Sequence, residues 1–109
     1  MNRFAHVIAR FASVLALCTA DELAAAIAAF AEARTAQIDP RKPDALRPLD
    51  LSPLVRAVPS AYASDARELV RAAGEETTLR GQEWANAHMA QAIINFCPAL
   101  GAACESATA

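Results

Sequence analysis

Five prolines crowd the middle of the chain, Pro40, Pro43, Pro48, Pro53 and Pro59, and they decide what the rest can become. Each removes a backbone donor, and each pushes the residue before it toward an extended or turn conformation. No helix can run through 38–59, so the 109 residues keep one helix-forming stretch on either side. The proline segment is nevertheless too apolar for a free linker: it holds Leu46, Leu49, Leu51, Leu54, Val55 and Val58. An ordered strap lying across the helices is therefore expected. Within it, Ser52-Pro53 has the pattern of an N-cap followed by proline at the first helical position, which predicts a short turn through Ala57. Its cations Arg41, Lys42, Arg47 and Arg56 face the anions Asp39, Asp44 and Asp50. Mixed signs of this kind read as a solvated surface rather than an anion site.

Before the strap, Phe4, Val7, Ile8, Phe11, Val14, Leu15 and Cys18 recur at intervals of three and four, which predicts an amphipathic helix over 2–18. Ala5, Ala9, Ala12 and Ala16 form a second, smooth stripe on it, while His6, Arg10 and Ser13 are wet. Thr19 with Glu22 is a capping-box pair, so a second helix should start at once and run over 20–37. Leu23, Ile27, Phe30 and Ile38 mark its apolar line, and alanine fills most of the remainder, giving strong helix propensity but few large core residues.

After the strap, Tyr62, Ala66, Leu69, Val70 and Ala73 predict a third helix ending at Gly74 as its left-handed cap. Glu75-Glu76-Thr77-Thr78 then reads as a turn. The last helix, capped at Thr77 or Thr78 or else starting near Gln82, ends at Phe96 ahead of Cys97-Pro98, with Ala85, Met89, Ala92, Ile93 and Phe96 toward the core. The tail, 98–109, reads as flexible.

The fold class that follows is all-α: a small bundle of about four helices, two helical hairpins joined by the proline-rich strap, in one domain over 1–109. Its parts are a first helix pair at 2–37, the connector at 38–59, a second pair at 60–97 and the tail. Low glycine content (3 Gly) and a hydrophobic fraction of 55%, much of it alanine, agree with helices rather than strands. The alanine and arginine bias is that of a bacterial, GC-rich composition.

Several function classes drop out. Net charge is −2, which offers no concentrated basic surface for phosphate, so nucleic acid is disfavoured. A helix-turn-helix drawn through 66–95 would put Glu75, Glu76 and Glu83 against the backbone, and its turn is too long. His6 and His88 are the only histidines and no Cys-x-x-Cys spacing exists, so no metal or other cofactor is expected. His88 and Cys97 lie nine residues apart on different sides of the helix and do not form a nucleophile–base pair. There is no glycine-rich phosphate loop, and no enzyme activity is expected. Asp21 and Glu22 spoil the one window resembling a membrane span. Residues 1–20 carry a trace of a secretory leader, but His6 and Arg10 interrupt it and favour the amphipathic helix. Cytoplasmic location is thus expected, with Cys97 and Cys104 reduced; in an oxidising compartment the loop between them is short enough to close as a disulfide.

What remains is recognition. Trp84, His88, Gln91 and Asn95 fall at intervals of four, three and four and place the single tryptophan beside an imidazole and two amides on one side of the last helix. An aromatic anchor among neutral hydrogen-bonding groups has the make-up of an interface centre. The expected function is a non-enzymatic module, a small regulator, inhibitor or adaptor, that binds another protein through this helical face. A component of a larger assembly and a DNA-binding regulator are the alternatives. A homodimer is expected as well, seamed by Phe4, Ile8, Phe11 and Leu15, because the alanine-rich second helix offers little to cover them.

Overall fold

The computed structural model describes residues 3–102 and is built of five α-helices. They are α1 (Arg3–Leu15), α2 (Ala20–Ala36), α3 (Ser52–Ala57), α4 (Ala63–Arg80) and α5 (Gln82–Phe96), with short 3-10 turns at Ser60–Tyr62 and Pro98–Gly101. Among the described residues the only extended pairing is a single antiparallel bridge between Ile38 and Leu46. The molecule is 22 Å through its thinnest direction, which accommodates two layers of helices about 10 Å across.

The α1–α2 corner forms as its capping residues dictate. The Glu22 amide donates to Thr19 Oγ1 at 3.2 Å, and the Thr19 amide donates to Glu22 Oε1 at 2.8 Å. The two helices then take different neighbours. α1 lies mainly along α4 and also reaches α5, whereas α2 packs against α3 and the C-terminal 3-10 turn, and α4 and α5 form a consecutive pair.

This arrangement corrects the expectation for the α1 stripe. Phe4, Ile8, Phe11 and Leu15 are all buried within their own chain, none more than 7% exposed, so they form the core rather than a surface for a second copy. The reason is the choice of neighbour: α1 packs along α4 and α5 rather than chiefly against α2, so the expected hairpin of the first two helices is not what covers it. Burying four such side chains contributes about 1.5–3 kcal/mol each. The flanking ion pairs from α1, Arg3 to Glu68 (2.9 Å) and Glu75 (3.1 Å) and Arg10 to Asp65 (3.4 Å), are exposed and contribute about 0–1 kcal/mol each. The apolar seam dominates.

Gly74 is therefore not a cap. The chain stays helical through this stretch, and Thr77 and Thr78 satisfy their hydroxyls by donating to the carbonyls of Ala73 (2.8 Å) and Gly74 (3.1 Å), an option open to threonine inside a helix. Glu76 pairs with Arg80 one turn on. The break comes at Gly81, whose φ of 100° and ψ of 151° lie in a region that essentially only glycine occupies.

Other core assignments shift by a face. On α2 the buried positions are Ala26, Ala29, Phe30 and Ala33, with Leu23 and Ile27 half-buried and Ile38 exposed; alanine lets α3 and the C-terminal turn approach closely. Val70 and Phe96, expected in the core, are 40% and 46% exposed. Leu100 and Cys97 are fully buried, so residues 98–101 of the expected flexible tail are part of the fold, while Cys104 lies outside the described residues.

The strap is held at both ends. Leu51, Leu54 and Val58 enter the core, and α3 starts with Ser52 inside the helix rather than as its N-cap, which is Leu51; just before it, Asp50 Oδ1 accepts from the Ser52 amide (3.0 Å) and from Ser52 Oγ (2.6 Å). At the other end Gln37, only 5% exposed, donates from Nε2 to the carbonyls of Arg47 (3.0 Å) and Asn86 (2.9 Å). The Arg47 amide returns a bond to the Gln37 carbonyl at 2.8 Å, and Asn86 Nδ2 donates to the Leu46 carbonyl at 3.2 Å.

Candidate functional site

The outer face of α5 is set by the junction before it. With one residue between α4 and α5, the last turn of α4 stands beside the first turn of α5, and Arg80 meets Trp84 across the break. The Arg80 guanidinium carbon lies 4.5 Å from the centroid of the Trp84 ring, within cation–π range. Arg80 is itself aimed by Glu76, whose Oε1 accepts from its Nε at 3.0 Å. Glu76 is buried to 5% exposure, so this carboxylate is a fixed anchor rather than a mobile surface group.

On the C-terminal side, His88 approaches Trp84 with ring centroids 5.9 Å apart and planes tilted by 44°. The residues 76, 80, 84 and 88 thus form one continuous file of side chains that crosses the helix junction. Trp84 is half-buried against the core edge and His88 is exposed. Further along, Gln91 and Asn95 are exposed and joined by a bond from Gln91 Nε2 to Asn95 Oδ1 at 3.1 Å.

The four residues expected here therefore fall into two touching pairs, Trp84 with His88 and Gln91 with Asn95, on one helix face. Among the described residues no hydrogen bond joins His88 to Gln91. Arg80 and Glu76 belong to the same surface and are not found by reading the sequence, since the stretch containing Glu76 reads there as a turn; recognising the four-residue Glu76–Arg80–Trp84 spacing as helical is the signal that would find them.

Just past the end of α5, Cys97 is 1% exposed, and burial pushes its thiol above the ordinary range, partly offset by the Leu100 amide. Among the described residues no three His, Cys, Asp or Glu side chains converge as a metal site would require, and no helix is long and apolar enough to cross a membrane. What the surface can do is offer an immobilised indole and amide groups that can donate and accept. Comparison with known proteins finds no family model, no curated protein and no solved structure that matches the chain.

Proposed function

We propose that the protein is a non-enzymatic binding module, a small regulator, inhibitor or adaptor, that recognises another protein through the α5 face of Trp84, His88, Gln91 and Asn95. The observation that carries this reading is the restraint on Trp84. Arg80, held by buried Glu76, covers part of the ring at 4.5 Å, and His88 flanks it. An aromatic side chain already ordered in the free protein loses little conformational entropy on binding, which favours affinity. Tryptophan and arginine are also the residue types that most often dominate interface energetics. Around them, Gln91 and Asn95 supply a neutral, exchangeable hydrogen-bond pair suited to a polar rim.

The test places a photo-crosslinking residue at Gln91, and in a second preparation at Glu32 on α2, in the protein expressed in its native cells. A discrete crosslinked partner from position 91, absent from position 32 and lost on Trp84→Ala with helical content unchanged, is the expected result. Identical crosslinked products from both positions, or products insensitive to Trp84→Ala, would remove the α5 face from the account.

A further inference from the structure

A second surface, separate from the α5 face, lies where α3 crosses α4. Ser52, Val55 and Arg56 from α3 and Arg67, Val70 and Arg71 from α4 line one open cleft of about 410 Å³. No acidic side chain lines it, although the chain as a whole has 12 acidic against 10 basic residues. All three arginines are exposed.

Their charges are only partly answered. Arg67 makes no ion pair among the described residues. Arg71 reaches Glu68 at 3.3 Å, but Glu68 is bound more closely by Arg3 at 2.9 Å. Arg56 acts on Asp50 through space, while that carboxylate is bonded to Ser52. The floor between them is apolar: Val55 is half-buried and Val70 is 40% exposed, unlike the alanines and leucine that face inward from the same helix.

We infer that this cleft docks an acidic amphipathic segment of a partner protein, its aliphatic side chain on the Val55–Val70 floor and its carboxylates on Arg56, Arg67 and Arg71. Guanidinium groups pair with carboxylates in a two-point geometry and are less costly to desolvate than lysine ammonium groups, which suits an interface better than free solvent does. The apolar floor selects against a nucleic-acid backbone, which offers phosphates but no aliphatic group at matching spacing. Three cations are also few for a phosphate-tracking surface.

The probe is a synthetic helical peptide with leucines on one face and glutamates flanking them, titrated into isotopically labelled protein and followed by backbone amide shifts. Shifts confined to the 52–56 and 67–71 segments are expected. Replacing the peptide's glutamates by glutamine, or Arg67 and Arg71 by glutamine in the protein, should each weaken binding by about tenfold, through the loss of several exposed charge pairs at once. Val70→Asn, which keeps every charge, should also weaken it several-fold, roughly the contribution of one partly buried aliphatic group. Absence of shifts at these segments, equal binding of the glutamine peptide, indifference to Val70→Asn, or equal occupancy by a DNA duplex would each overturn the inference. Circular dichroism of the variants, all surface changes, separates lost binding from lost fold.

Discussion

Gln37→Met should loosen the strap without disturbing the helices. Methionine matches glutamine in length and keeps the backbone bonds at position 37, including the one from the Arg47 amide at 2.8 Å, but it removes the donor that serves the carbonyls of Arg47 and Asn86. Two neutral hydrogen bonds are worth roughly 1 kcal/mol each. The Asn86 carbonyl lies inside α5 and retains its helical donor, and Arg47 is exposed enough for water to reach. The net loss is therefore about 1–2 kcal/mol rather than the larger penalty of an orphaned buried group. For a domain of this size that is a fall of roughly 4–8 °C in Tm. Urea unfolding should show a lower midpoint with unchanged slope. Asn86→Ala removes the neighbouring bond to the Leu46 carbonyl, and because both side chains secure strap residues 46 and 47, the double variant should lose about 0.5–1 kcal/mol less than the sum. A Gln37→Met protein within about 0.3 kcal/mol of wild type, below the usual worth of one hydrogen bond, or strict additivity with Asn86→Ala, would refute the clamp.

The two glycines of the α4–α5 region should respond in opposite directions. Gly74→Ala fills open space inside a helix and should raise stability by about 0.5–1 kcal/mol, whereas Gly81→Ala, at φ 100°, should lower it by about 1–3 kcal/mol. Calorimetry of the pair decides it, and a neutral Gly81→Ala would count against the strained junction. Asp50 has its carboxyl pKa lowered by the Ser52 hydroxyl and amide, with Arg56 adding a smaller pull. A lowered folded pKa means that its stabilisation is complete above the unfolded value of about 3.9 and fades as pH falls through the folded one. The advantage of wild type over Asp50→Asn should accordingly be constant near neutrality and shrink in acid; a difference unchanged down to about pH 2 contradicts the Asp50–Ser52 bonding. Cys97, fully buried, should alkylate far more slowly than half-buried Cys18 in native protein; both thiols are shifted upward, so access is what separates them. Site-resolved mass spectrometry reads this, and equal rates would show that the C-terminal turn opens freely.

How much of this was open to reading before the structure depended on the range of the interaction. The α1 stripe and the Thr19–Glu22 corner are set by side chains three or four apart; the corner stands as expected, and the stripe stands from Phe4 to Leu15, where the helix ends short of Cys18. The α4 boundary failed because glycine, two glutamates and two threonines in succession carry local turn propensity, while the helix runs on to Arg80 in its tertiary setting. That misplacement hid Glu76 and Arg80 from the candidate face, while α1 looked uncovered because the alanine-rich α2 was read as its main neighbour, a place that α4 takes. The Gln37 clamp joins residues 49 positions apart, and no local pattern announces it. Trp84, His88, Gln91 and Asn95 were legible as neighbours on one helix; their division into two touching pairs was not.

The pairing of α1 with α4 and α5 has a consequence for biosynthesis. A ribosome delivers α1 first and its two covering helices last, and at roughly 5–20 residues per second the interval is on the order of several seconds. During it Phe4, Ile8, Phe11 and Leu15 lack their main native neighbours, α4 and α5, since α2 packs chiefly toward α3 and the C-terminal turn. We predict that nascent chains arrested before α4 emerges are cleaved readily within α1 by a gentle protease, and that full-length chains released from the ribosome are not; protection of the arrested chains would mean another shelter exists. The helix that ends as the best-covered element of the finished domain is the one that waits longest for its partners.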